Sequence, residues 1–174
     1  MINIESLVHI TKIPNFEVVK NSTLSAISSM TRYSIDGPGQ RLSNTDWHIN
    51  PDEHRPYLNI VFPEINRHNE ILKEKLQLRS VTTSTVWHQQ YEAGDFHLWH
   101  VHESSIYSNV MYIELGDDSP KTSFSYMGTE YKVDVNEGDI ITFPSFLAHG
   151  SRPNTGARKT IIGFNTNIEV YKQF

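Results

Sequence analysis

From Val81 onward, apolar and β-branched residues recur in short bursts separated by turn-forming residues. Eight segments read as strands: 81–91, 96–102, 107–115, 122–126, 130–135, 139–143, 146–151 and 159–169. Gly94-Asp95, Gly116-Asp117-Asp118, Gly128 and Gly138-Asp139 lie between them, where turns need positive φ or side chains that bond the backbone. Short strands at this spacing predict a sandwich, barrel or jelly roll. The first 80 residues follow a different rhythm. Ser22 reads as the N-cap of a short helix with Leu24, Ile27 and Met30 on one face. Pro63 reads as the first residue of a longer helix through Leu78, with Ile65, Ile71, Leu72 and Leu76 as its apolar stripe. Between the helices, Tyr33 to Tyr57 is rich in Gly, Pro, Asn and Asp and predicts a long loop with Trp47 as an anchor. No linker separates the two parts. The chain therefore reads as one domain, with residues 1–80 as helical and loop support and 81–170 as the β core.

Composition narrows the chemistry. At 174 residues the chain can bury a core unaided, and with no cysteine any metal must be held by nitrogen and oxygen. A net charge of −5 offers no basic stripe, so nucleic acid is not an expected partner. The opening MINIESLVHI lacks a basic segment followed by an apolar one, and no apolar run would span a bilayer. A cytoplasmic protein without a membrane partner is the expectation.

The chemistry concentrates in Tyr91 to His102, YEAGDFHLWHVH. On a strand, residues two apart share a face, so His100 and His102 point together. An isolated pair of this kind more often decorates a solvent-facing surface. His149, which follows Pro144-Ser145-Phe146-Leu147-Ala148 on a later strand, changes that reading, because antiparallel pairing in a jelly roll can bring it beside the pair. Three imidazoles leave coordination positions open, as a catalytic metal requires. Iron, zinc, copper and nickel all suit such a site. His97 should face away from His100, in a structural or substrate-facing role. His88 reads as exposed, and His9, His48, His54 and His68 read as surface residues. Trp87 and Trp99 read as core or rim aromatics, and Gly138 and Pro144 as shaping residues.

These residues resemble the 2-oxoglutarate and Fe(II)-dependent oxygenase superfamily, and within it a small group of bacterial and phage hydroxylases. The resemblance covers roughly residues 85 to 166. Members often show Asn-x-Tyr-x-x-Gly followed by His-x-Asp, and here Gln89, Tyr91, Gly94, His100 and His102 fall at matching spacing. A distal His followed by Arg is matched by His149 and Arg158-Lys159-Thr160, and FPSFLAH and Phe164-Asn165 are similar too. The resemblance implies a mainly β fold with flanking helices, a double-stranded β-helix of eight core strands. It further implies Fe(II) on His100, His102 and His149, 2-oxoglutarate as cosubstrate and O2 at an open position. Arg158 would bind the far carboxylate, since a guanidinium fork suits it. Thr160, Tyr91, Gln89 and Asn109 would assist. The cosubstrate would be decarboxylated to succinate and CO2 while a small-molecule or peptide substrate is hydroxylated, with Trp47, His48 and Arg55 as candidates to contact it. A homodimer is left open. The usual triad has a carboxylate where His102 stands, and Glu103 or Asp95 would replace it under another strand register.

The cupins are a second resemblance. Gly94-x5-His100-x-His102 and Gly138-x5-Pro144 with His149 are similar to parts of their two motifs, although the cupin glutamate is absent near Ile106 and Tyr107. That resemblance implies the same fold with a different metal-dependent activity. A third reading is a module that binds a metal or a small acid without turnover.

Overall fold

The computed structural model describes residues 4–50 and 52–171. After a 3-10 turn at Ile4–Leu7 come β1 (His9–Lys12), α1 (Phe16–Ser28), β2 (Ile35–Gly37), β3 (Gln40–Leu42), β4 (Asn44–Thr45) and α2 (Leu58–Lys75). Eight further strands follow: β5 (Ser80–Tyr91), β6 (Phe96–His100), β7 (Tyr107–Glu114), β8 (Ser123–Tyr126), β9 (Thr129–Lys132), β10 (Asp139–Pro144), β11 (Ala148–Ser151) and β12 (Lys159–Glu169). They are the eight expected from the sequence, with ends moved by no more than three residues.

The strands form two antiparallel sheets, ordered β1-β10-β7-β12-β5-β4 and β2-β3-β6-β11-β8-β9. β5 to β12 contribute four strands to each, which is the double-stranded β-helix. The first sheet is buried on both faces. Val110, Tyr112, Ile141, Phe143 and Ile161 point into the space between the sheets, while Met111, Ile113, Ile140, Ile162 and Phe164 point the other way, onto the helices. Strands buried on both faces read as continuous apolar runs, which explains NVMYIEL and TIIGF.

The N-terminal part departs from expectation. α1 starts after Asn15, which takes a left-handed conformation, so Ser22 lies mid-helix and is no cap. α2 begins five residues before Pro63. Its buried stripe of Val61, Ile65, His68, Asn69 and Leu72 is continuous through that point. Pro63 is on the exposed side, where the carbonyl that it leaves without a donor can be solvated. The expected loop carries β2, β3 and β4, which extend both sheets. No helix of the described residues is long and apolar enough to cross a membrane.

His68 and His88, read as exposed or surface residues, are both fully buried. The two ring nitrogens of His68 lie 2.7 Å from the hydroxyls of Thr11 and Thr142, which ties α2 to the sheet. Burial lowers its pKa from 6.5 to about 4. The unfolded chain therefore binds more protons between those values, and stability falls as pH drops from 6.5 towards 4. The loss attributable to His68 is about 3 kcal/mol. His68→Gln, which cannot take up the proton, should show a shallower fall in urea-unfolding free energy over this window. Equal slopes for the two proteins would refute this.

Candidate metal centre

β6 and β11 are neighbours in the second sheet, with His100 directly opposite His149. His102 lies just past β6, where its backbone N–H donates to Ser145 O at 3.0 Å. One ring nitrogen from each of His100, His102 and His149 lies within 4.8 Å of the others. The remaining nitrogens are accounted for. Nδ1 of His100 is 2.9 Å from Leu98 O, Nδ1 of His149 is 3.0 Å from Leu147 O, and Nδ1 of His102 is 2.7 Å from Asn165 Oδ1. Each oxygen can only accept, so each Nδ1 carries the proton and each Nε2 presents a lone pair. Burial lowers the pKa of all three imidazoles, most of all for His149, and so favours the neutral form that a metal needs. The donor set fits a divalent metal, and the fixed tautomers are the kind of support that ligating histidines receive.

The carboxylate alternatives do not join this set. Asp95 is buried in a turn, where it accepts from Ser43 Oγ, from Arg41 Nε at 3.2 Å and from Glu92 N at 2.9 Å. Glu103 is exposed. His97 does not face away from His100. Its ring stacks on that of His100 with centroids 3.9 Å apart, because the β6–β11 register shifts between His149 and Ser151 and the bulge turns His97 inward. Gly150 permits this close approach, since a Cβ there would meet His97 O at 2.8 Å.

The histidines line a chamber of about 210 Å³ between the sheets. Gln89, Tyr91, Tyr112, Thr122, Ser151 and Lys159 occupy its wall, and Trp47 and Trp87 are also among its lining residues. Lys159 is 2% exposed. Its Nζ donates to Pro120 O at 2.9 Å and Ser151 Oγ at 2.5 Å and lies 4.1 Å from the centre of the Tyr91 ring. Burial pushes its ammonium down to about 7.

Arg158 is not in this chamber. Its guanidinium pairs with Glu114, Nε to Oε2 at 2.8 Å, and Thr160 Oγ1 donates to the same carboxylate at 2.9 Å. Both side chains point away from the chamber, whereas Lys159, between them in sequence, lines it. Asn109 is among the residues that line the chamber, but its amide is engaged by neighbouring strands. Its amide donates to Phe164 O and Thr166 Oγ1 at 3.0 and 3.3 Å and accepts from Thr142 Oγ1 at 2.5 Å. Tyr91 and Gln89 do line the chamber, and the tyrosine hydroxyl donates to Gln89 Oε1 at 2.8 Å.

The N-terminal loop supplies part of the mouth. Asp46 is buried, accepting from Tyr57 Oη at 2.6 Å and His88 N at 2.7 Å, with Arg55 Nε 3.6 Å away. Arg55 therefore serves this network and does not line the chamber. The anchored Asp46 delivers Trp47, whose ring meets Trp87 edge-on at 4.4 Å. Gly163 leaves room for Trp87, since a Cβ there would lie 2.5 Å from the indole.

No family model matches the sequence, and no curated protein matches it either. Solved structures do. A Burkholderia pseudomallei oxidoreductase of the 2OG-Fe(II) oxygenase family superposes with a TM-score of 0.73 over 97% of this chain and 90% of that one, at 10% identity. The fold is that of the 2OG-Fe(II) oxygenases. A Pseudomonas putida prolyl-4-hydroxylase gives a TM-score of 0.66 at 14% identity, covering 95% of this chain and 94% of its own. The viral collagen prolyl hydroxylase of Paramecium bursaria Chlorella virus-1, solved with 2OG, gives 0.60 at 14% identity over 93% and 96%.

Proposed function

We propose that the protein is a non-haem Fe(II)- and 2-oxoglutarate-dependent dioxygenase that hydroxylates a small-molecule or peptide substrate and releases succinate and CO2. What supports this most is one chamber that holds three converging neutral imidazoles together with a buried lysine whose hydrogen-bond partners are neutral. A buried ammonium without a counter-ion is costly, and a ligand carboxylate would offset that cost. The fold it shares with the 2OG-Fe(II) oxygenases points the same way.

In this reading His100, His102 and His149 hold Fe(II), which when bound supplies the redox chemistry that couples O2 to cosubstrate decarboxylation. Leu98 O, Leu147 O and Asn165 hold the three rings in their ligating tautomer. Lys159, in place of Arg158, receives the far carboxylate of 2-oxoglutarate. Ser151 orients its ammonium, and burial keeps the Tyr91 hydroxyl protonated as a donor beside it. Trp47 and Trp87 form an apolar wall that excludes water from the reacting end.

Succinate formation tests the proposal. Purified protein with Fe(II), ascorbate and O2 should convert 2-oxoglutarate to succinate slowly without added substrate, and faster when a true substrate is supplied. A protein that binds metal and 2-oxoglutarate but yields no succinate across a broad substrate screen would instead be a binding module.

A further inference from the structure

His97 is a fourth imidazole in the same chamber. It does not belong to the group of candidate ligands, and its ring makes no hydrogen bond to any of the described residues. Its neighbours are fixed on both sides. The ring stacks on His100, with centroids 3.9 Å apart and planes at 16°. In the β6–β11 pair His97 stands directly opposite Ser151, and directly opposed residues share a face. Ser151 Oγ in turn accepts from Lys159 Nζ at 2.5 Å. The chamber wall therefore runs from a candidate metal ligand through His97 and Ser151 to the buried ammonium. A cosubstrate held at one end by the metal and at the other by Lys159 has to pass along His97.

Resting on the oxygenase reading above, we infer that His97 binds 2-oxoglutarate directly, donating a ring N–H to the near carboxylate, the one that the metal holds. An imidazole offers such a donor in either tautomer. The far carboxylate is matched by Lys159. The near one binds the metal through one oxygen, which leaves the other buried and in need of a donor. The N–H groups of the three ligands cannot supply it, since those of His100 and His149 are committed to backbone carbonyls and that of His102 to Asn165. The contact uses no coordination position on the metal, so the place for O2 is untouched. Stacking on His100 holds the ring where it is needed, so little is lost in ordering it.

Pyruvate separates the two ends, because it keeps the near carboxylate and the keto oxygen and lacks the far carboxylate. Co(II)-loaded protein is titrated with pyruvate or with 2-oxoglutarate and followed by the visible Co(II) bands. His97→Leu should weaken both by about tenfold or more, the range of a charge-assisted hydrogen bond. His97→Gln keeps an N–H donor and should recover part of the loss, while Lys159→Met should weaken 2-oxoglutarate alone. Co(II) affinity should be the same in wild type and the His97 variants, which a purely supporting role for the ring would not allow. His97→Phe retains a ring against His100 and replaces His97→Leu if that variant does not fold. If pyruvate is too weak to saturate, the comparison of donor-free and donor-bearing variants on 2-oxoglutarate decides. Unchanged affinity in the donor-free variants overturns the inference, as do equal losses in His97→Leu and His97→Gln, or loss of Co(II) from every His97 variant. Wild-type protein that takes up Co(II) but not 2-oxoglutarate contradicts the proposed function, and this inference with it.

Discussion

His149→Ala should lower divalent-metal affinity by more than about a hundredfold, because loss of a ligand exceeds the 10- to 100-fold cost of losing a supporting contact. His149 is the most enclosed of the three rings. It sits opposite His100 across the β6–β11 pair, 5% exposed, with the edge of Phe143 at 4.6 Å. A displaced side chain could not easily substitute for it. His100→Ala should behave alike. Isothermal titration with Co(II) or Zn(II) measures the loss, and urea unfolding of the metal-free variants separates it from misfolding. Metal affinity that survives both substitutions in folded protein would mean that the converging imidazoles are not the site.

The second large effect falls on the cosubstrate. Lys159→Met removes the buried cation while roughly preserving its length, and should weaken 2-oxoglutarate by about 10- to 100-fold, the range of one charge-assisted hydrogen bond. Metal affinity should stay within error, since no candidate ligand contacts the ammonium through a hydrogen bond. Arg158→Ala should leave 2-oxoglutarate affinity unchanged, because its guanidinium is occupied by Glu114 on the other face of β12. The opposite outcome, with Arg158→Ala costly and Lys159→Met silent, would restore the register expected from the sequence.

That Lys159 and not Arg158 lines the chamber shows where the sequence stops being legible. The eight core strands are separated by turn residues whose backbone demands are local, so they could be placed with small errors. His100 and His149 could be paired because a jelly roll brings such strands together. Parity within β12 could not be read in the same way. Ile161 and Ile162 are adjacent apolar residues on a strand buried on both faces, so no alternation marks which residues face the chamber. The usable signal was register: Lys159 is paired with Tyr91, already assigned to the chamber, and directly opposed residues share a face. Register is a tertiary fact. His97 was misplaced for a related reason, since the bulge that turns it inward depends on the fit of Gly150 against the His97 and Leu98 backbone. His68 and His88 looked like surface residues because their partners, Thr11, Thr142 and Asp46, are distant in the chain.

Anaerobic addition of Fe(II) and then 2-oxoglutarate, followed by visible absorption, tests the central claim most directly. The account predicts that a charge-transfer band appears only when both are present, and that it needs far more 2-oxoglutarate in Lys159→Met than in wild-type protein. Iron that is demonstrably bound while saturating 2-oxoglutarate produces no band would contradict the account.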